Sequence, residues 1–190
     1  SILRLTGSQC KINNSSARFR NFLKRNKLEF HFEPFRPTHK ADAIEILGKH
    51  FKMLRELGKQ IGSTPEDHFN SLDEKILELE TVSGTMGFLG NIPVSFFIGE
   101  RLTKTRFGLY TGYTLRNLEH FRDIIDNPVG FTAMPLYSYW LLIKSLEEKG
   151  FTEVHLGGSE LPSLNSFKRH LGAKRDPTYW AVKLKEKQSS

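Results

Sequence analysis

The sequence predicts an α+β fold: a mixed central sheet, laid down as an antiparallel meander and then a β-α-β-α-β run, flanked by helices. Three observations carry this. Residues 81–89, 92–102 and 104–114 alternate apolar and polar positions and follow one another across short turns, the spacing of a meander. A long helical stripe over 131–149 then alternates with a short strand at 152–156, a helix at 162–171 and a closing strand at 179–184. The chain has 190 residues, 38% of them hydrophobic and 15 of them Phe, enough for one domain with a sizeable core.

The N-terminal elements read in the same way. Residues 2–5 form a short strand. Ser15 or Ser16 caps a helix over 17–26, in which Phe19, Phe22 and Leu23 fall at i, i+3 and i+4. Arg18, Arg20, Lys24, Arg25 and Lys27 surround that stripe. The helix is either an ordinary amphipathic one with a solvated face, or a basic surface that lies on phosphates or a membrane. Alternation over 28–35 predicts a strand closed by Pro34 and Pro37. A helix over 38–57 carries Ala43, Ile46, Leu47, Phe51, Leu54 and Leu57, and Gly58 stops it. Thr64 caps the next helix, with Pro65 in its first turn. Residues 72–79 fit helix or strand.

In the meander, Val94, Phe96 and Ile98 share one face, and Phe107, Leu109, Thr111 and Tyr113 share one face of the following strand. A short helix and loop over 117–130 precede the main helix, set off by Asn127-Pro128-Val129-Gly130.

Lys plus Arg number 28 against 21 Asp plus Glu, a formal charge of +7, which favours anionic partners such as a CoA pyrophosphate, tRNA or an anionic lipid surface. Cys10 is the lone cysteine, so an internal disulfide and a cysteine-rich zinc site are excluded; a reducing, cytoplasmic setting with a peripheral membrane contact is expected. No apolar run reaches the ~18 residues of a membrane span. The seven histidines (His31, His39, His50, His68, His120, His155, His170) show no metal-ligand spacing, so no metal is expected. His155 reads as a packed strand histidine. No nucleophile elbow, Walker loop or Rossmann fingerprint appears.

Residues 150–173 run glycine stop, strand, Gly157-Gly158-Ser159 turn, helix with Phe167-Lys168, glycine stop. With Tyr110-Thr111-Gly112-Tyr113 and the basic 18–24 helix, this order resembles the GNAT (N-acetyltransferase) superfamily. In detail it is similar to the Fem-type peptidoglycan aminoacyltransferases and the C-terminal domain of phosphatidylglycerol lysyltransferases. The resemblance implies an N-terminal strand and basic linker helix over 1–37 and an acyltransferase domain over 38–190, the C-terminal unit of a tandem protein. It also implies an acyl-CoA or aminoacyl-tRNA co-substrate and an amine or hydroxyl acceptor.

Two departures stand out. Residues 114–119 read Thr-Leu-Arg-Asn-Leu-Glu, without the glycines of a conventional pyrophosphate loop, and Phe167 stands where conventional members often place a tyrosine acid. A catalytically degenerate module binding an anionic partner or nucleic acid is therefore the alternative.

Site residues follow from the resemblance. Lys168 stabilises a developing oxyanion or neutralises phosphate, unless it is a solvated helix lysine. Gly157, Gly158 and Ser159 offer N–H donors to an acyl carbonyl, unless they form a plain turn. Glu160 is a candidate base, although a helix-start acid has the same explanation. Tyr113 and Arg116 meet the donor's phosphates, with a surface arginine as the other reading.

Overall fold

The computed structural model describes residues 2–4, 13–70, 79–157 and 162–174. The elements in chain order are β1 (Ile2–Arg4), α1 (Asn13–Asn26), β2 (Phe30–Pro34), α2 (Lys40–Glu56), α3 (Pro65–Asn70), β3 (Val82–Leu89), β4 (Ile92–Arg101), β5 (Arg106–Thr114), α4 (Met134–Glu148), β6 (Glu153–His155) and α5 (Pro162–His170). Six strands among the described residues form one sheet in the order β1-β6-β5-β4-β3-β2. Every pair is antiparallel except β5 with β6. The expected α+β layout is present, with α2 and α3 on one face and α4 on the other. The strand expected at 179–184 lies outside the described residues, as does most of the ambiguous 72–79 stretch.

Local chemistry sets the element ends. The Thr64 hydroxyl accepts from the Asp67 N–H at 3.0 Å, and the Asp67 carboxylate accepts from the Thr64 N–H at 3.3 Å, a reciprocal cap. Gly90 turns the β3–β4 hairpin at φ 60°. No helix of the described residues is long and apolar enough to cross a membrane.

One expectation about β5 fails for a definite reason. Strict alternation predicts Phe107, Leu109, Thr111 and Tyr113 on one face. In the register, Gly99 of β4 faces Leu109 while its neighbour Ile98 faces Thr111, so Tyr110 is an extra residue. This bulge switches faces along β5. Phe107 and Leu109 pack with Leu142, Ile143 and Leu146 of α4. Tyr113 instead packs on Phe96 at 5.7 Å with the rings tilted, in the cluster that includes α2.

The N-terminal helix also departs from expectation. It begins at Asn13, so Ser15 and Ser16 lie inside it, and Ser16 is buried. Its Phe19-Phe22-Leu23 stripe is no exposed edge: Phe19 and Phe22 are fully buried. Phe19 lies 5.0 Å from the Tyr137 ring of α4, and Phe22 lies 5.8 Å from Phe131. The Asn26 side chain donates to the Asn127 carbonyl and accepts from the Asn127 N–H, both at 2.8 Å. Arg25 donates to the Val129 carbonyl. Thus α1 belongs to the same core as the sheet, while Arg18, Arg20, Lys24, Arg25 and Lys27 remain exposed.

Phe19→Ala therefore costs about 3–5 kcal/mol of unfolding free energy in urea denaturation. A helix acting only as a linker between units would show almost no change.

Candidate functional site

The site begins where two parallel strands part. β5 and β6 pair at Arg106–Glu153, Phe107–Val154 and Gly108–His155. Beyond Gly108 the two chains separate. β6 turns off at Gly157, where φ is 69°, while β5 runs on to Thr114. Among the described residues, 109–114 of β5 have no strand partner on that side. The bulge lies two residues past the last shared pair, and a bulge bends a strand and increases its twist. The sequence thus produces an opening along which, among the described residues, one edge of β5 has no ladder partner.

Side chains from four elements converge on this opening. Lys168 of α5 is 6% exposed, and its ammonium donates to the Gly157 carbonyl at 3.1 Å. Burial holds its pKa below the usual lysine value, because desolvation penalises the charged form. It is not a solvated helix lysine. Phe167, beside it, packs edge-on against Tyr139 of α4 at 5.2 Å, and the Arg116 guanidinium lies 5.8 Å from the Phe167 ring. Tyr139 packs in turn on Phe97 of β4 at 4.8 Å. Its hydroxyl reaches 3.2 Å from the point where a Cβ on Gly112 would stand, so a side chain at 112 would crowd it. Burial pushes the Tyr139 phenol up to about 12, and the nearby Arg116 charge only partly opposes this.

On the opposite face of β5, Tyr113 is ringed by His50 of α2 at 5.0 Å and His68 of α3 at 5.8 Å. Burial raises the Tyr113 phenol and lowers both imidazoles. His50 falls to about 4, with Arg116 and Lys59 adding to the effect of burial. Arg116 is exposed at the end of β5 and acts electrostatically on both faces.

Of the residues singled out from sequence, Tyr113, Arg116, Gly157 and Lys168 fall around this opening. Gly158, Ser159 and Glu160 lie outside the described residues. Three residues were missed: Tyr139, His50 and His68. The signal for Tyr139 was present, since it falls in helical register with Leu142, Ile143 and Leu146, a polar tip within an apolar stripe. The two histidines come from separate helices, so no spacing rule finds them.

The 114–119 segment has its own internal bonding. The Leu115 N–H donates to the Val94 carbonyl at 2.8 Å, and the Glu119 N–H donates to the Asn117 side chain at 3.0 Å. Two amides that a phosphate cradle would use are already committed. The loop before α4 is tied to α1 instead: Gly130 has φ 96°, and a Cβ there would meet the Arg18 carbonyl at 2.7 Å.

No family model matches the chain, and no curated protein matches its sequence. Solved structures match its fold. A conserved protein of unknown function from Bacteroides thetaiotaomicron superposes at a TM-score of 0.61 and 14% identity, over 90% of this chain and 54% of that one. A possible acetyltransferase from Clostridium difficile superposes at 0.56 and 8% identity, over 83% and 99%. The C-terminal domain of a putative lysylphosphatidylglycerol synthetase from Agrobacterium fabrum superposes at 0.52 and 13%, over 92% and 56%. The chain thus spans about half the length of the first and third. The chain therefore shares its fold with a possible acetyltransferase and with the lysylphosphatidylglycerol synthetase domain, the GNAT-like fold expected from the sequence. At such identities the likeness fixes the architecture alone.

The His50 geometry has a consequence for stability. The unfolded chain has an ordinary imidazole near 6.5 and the folded chain one near 4, so between these values the unfolded state binds more protons. Stability is full above pH 6.5 and declines as pH falls toward 4, by on the order of 2–3 kcal/mol. Urea midpoints at pH 7 and pH 4.5 measure the decline, and His50→Gln reduces the gap.

Proposed function

We infer that this domain is an acyltransferase: it moves an activated acyl group from an acyl-CoA or aminoacyl-tRNA to an amine or hydroxyl acceptor. One observation carries the reading. Parallel strands β5 and β6 part after three pairs, and a buried lysine and an open strand edge face the gap. The edge supplies backbone N–H groups to a carbonyl oxygen, and the Lys168 ammonium supplies charge where the oxyanion grows. Both act in a desolvated setting, where such interactions are stronger than in water.

The acceptor lone pair attacks the carbonyl carbon, and the carbonyl π pair moves to oxygen. Collapse restores the carbonyl and expels the thiol or ribose oxygen of the carrier. The proton lost by the acceptor balances the one gained by the leaving group. No covalent enzyme intermediate is needed. Arg116 lies exposed at the mouth, where a bidentate contact to the carrier's phosphates fits its planar fork. The committed amides of 115 and 119 favour side-chain over backbone contacts to those phosphates.

Thermal melting with acetyl-CoA, longer acyl-CoAs, charged tRNA and uncharged tRNA tests the donor class, because a ligand of the folded state raises the melting temperature by mass action. A rise with acyl-CoA or with charged tRNA, followed by acyl transfer to an amine, supports the reading. Lys168→Met then lowers kcat by about 10²-fold. Equal rises with charged and uncharged tRNA, steeply reduced by salt and without transfer, point instead to a degenerate nucleic-acid-binding module that uses the exposed basic face of α1.

A further inference from the structure

Helices α1, α2, α4 and α5 end on the same pair of backbone bonds. At each, a residue of positive φ donates to the carbonyl three positions back, and the next residue donates to the carbonyl five back. Gly58 bonds Arg55 and Lys59 bonds Leu54; Gly150 bonds Glu147 and Phe151 bonds Leu146; Gly172 bonds Arg169 and Ala173 bonds Lys168. In α1, Lys27 bonds Lys24 and Leu28 bonds Leu23. Three ends thus place glycine at the left-handed position, and α1 places Lys27 there, at φ 53°. Lys27 is the one non-glycine residue of positive φ among the described residues. That conformation costs a lysine free energy that it does not cost a glycine. The helix dipole does not call for it, since Lys24 and Arg25 already stand in the last turn. Strain of this kind points to a use for the side chain.

Lys27 completes a basic hollow. The hollow is open, has a volume of about 430 Å³, and is lined by Arg20, Leu23, Lys24, Lys27, Leu28 and Glu29. Leu23 is buried and Leu28 half-buried, whereas Arg20, Lys24 and Lys27 are exposed. The lining is therefore apolar at depth and cationic at the rim, with Glu29 as its one acid. Arg20 is held in place: its guanidinium lies 5.5 Å from the Trp140 ring and donates to the Ser16 hydroxyl at 3.4 Å. The 14 residues of α1 include Arg18, Arg20, Lys24 and Arg25 and no acid, so no carboxylate of the same helix neutralises them. Beside α1, the 127–130 loop presents Val129, which is 64% exposed. Arg25 donates to the Val129 carbonyl, and the Asn127 side chain accepts from the Val129 N–H at 3.0 Å.

We propose that α1 docks this domain on an anionic phospholipid surface, with one headgroup phosphate held in the hollow by Arg20, Lys24 and Lys27. Charge complementarity carries the occupant: five exposed cations, Arg18, Arg20, Lys24, Arg25 and Lys27, lie on one short helix and its final turn. An apolar point fixed beside them suits the bilayer interface, where basic side chains meet headgroups and a small apolar residue enters between them. A single-stranded nucleic acid gains from exposed rings on which bases stack. The aromatic residue most exposed among the large hydrophobic ones described, Tyr110, belongs to β5 rather than to this face. The hollow also has the size of a small-ligand pocket, roughly 300–1,000 Å³, which admits one headgroup and not a polymer strand. The docking needs no acyl donor, acceptor or turnover, so it stands apart from the acyl-transfer reading.

Flotation of the whole chain with vesicles tests this, using phosphatidylcholine alone and phosphatidylcholine mixed with phosphatidic acid at equal ionic strength. Wild type is expected to float with the acidic vesicles and not with the neutral ones. Lys27→Gly removes the cation and gives the left-handed position its usual residue, so its melting temperature is maintained. Its partition onto acidic vesicles falls by about fivefold. Lys104→Gln removes the same charge from the turn between β4 and β5 and partitions like wild type. Equal losses in the two variants mean attraction by net charge alone and overturn the site, as does unchanged partition of Lys27→Gly. A rise in melting temperature with inorganic phosphate and no flotation assigns the hollow to a soluble phosphate and overturns the docking. A gel shift with total RNA and no flotation overturns it in favour of nucleic acid. A chain that floats but transfers no acyl group keeps this docking, so the two readings fail separately.

Discussion

Much of this structure depends on one surplus residue. Tyr110 has no counterpart on β4, and its insertion makes β5 two strands in one. The first part, through Leu109, belongs to a sheet that continues into β6 and packs on α4. The second, from Thr111 to Thr114, shows the opposite faces to the opposite helices. Without the bulge Tyr113 would point at α4, and the His50–Tyr113–His68 cluster would not assemble. The parallel ladder would also have no reason to stop where it does. A single register shift therefore turns the two halves of β5 toward different helices.

The groups around that space are chemically uneven. Both imidazoles and both phenols are biased by burial toward their neutral forms, so the positive charge there rests on Lys168 and Arg116. The lysine is buried and bonded to a backbone carbonyl; the arginine is exposed at the rim. Burying Lys168 costs free energy, and the lowered pKa records that cost. Buried hydroxyls without partners among the described residues, Thr111 and Thr114 on β5 and Ser95 on β4, lie along the same strands. Each is a polar group that folding alone does not satisfy.

The architecture was legible because meander spacing, glycine stops and helix stripes are local signals. The element order, the cap at Thr64 and the break before α4 all appear in the chain as read. Lys168 and Gly157 were legible because the glycine turn and the Phe167-Lys168 of the helix that follows it carry the resemblance. What failed was nonlocal. Period-two reasoning carried Tyr113 onto the face of Phe107, because a bulge is a relation between strands and leaves no mark on one of them. His50 and His68 sit on separate helices and meet only through Tyr113. The stripe of α1 was legible as one face of an amphipathic helix, but its partners, Tyr137 and Phe131, were not, because they lie more than a hundred positions downstream.

That last separation bears on how the chain is made. α1 emerges from the ribosome before the elements that cover it, with two phenylalanines on one side and a row of cations on the other. The residues that cover those phenylalanines and tie down Asn26 are translated only after most of the sheet. Until then α1 is an amphipathic basic segment with nothing to pack on, while the β2–β5 meander can pair as it appears. Contacts of such long sequence separation form late and leave apolar surface waiting. The nascent chain thus passes through a stage in which the Phe19 and Phe22 face of α1, buried in the finished protein, stands uncovered beside a row of cations.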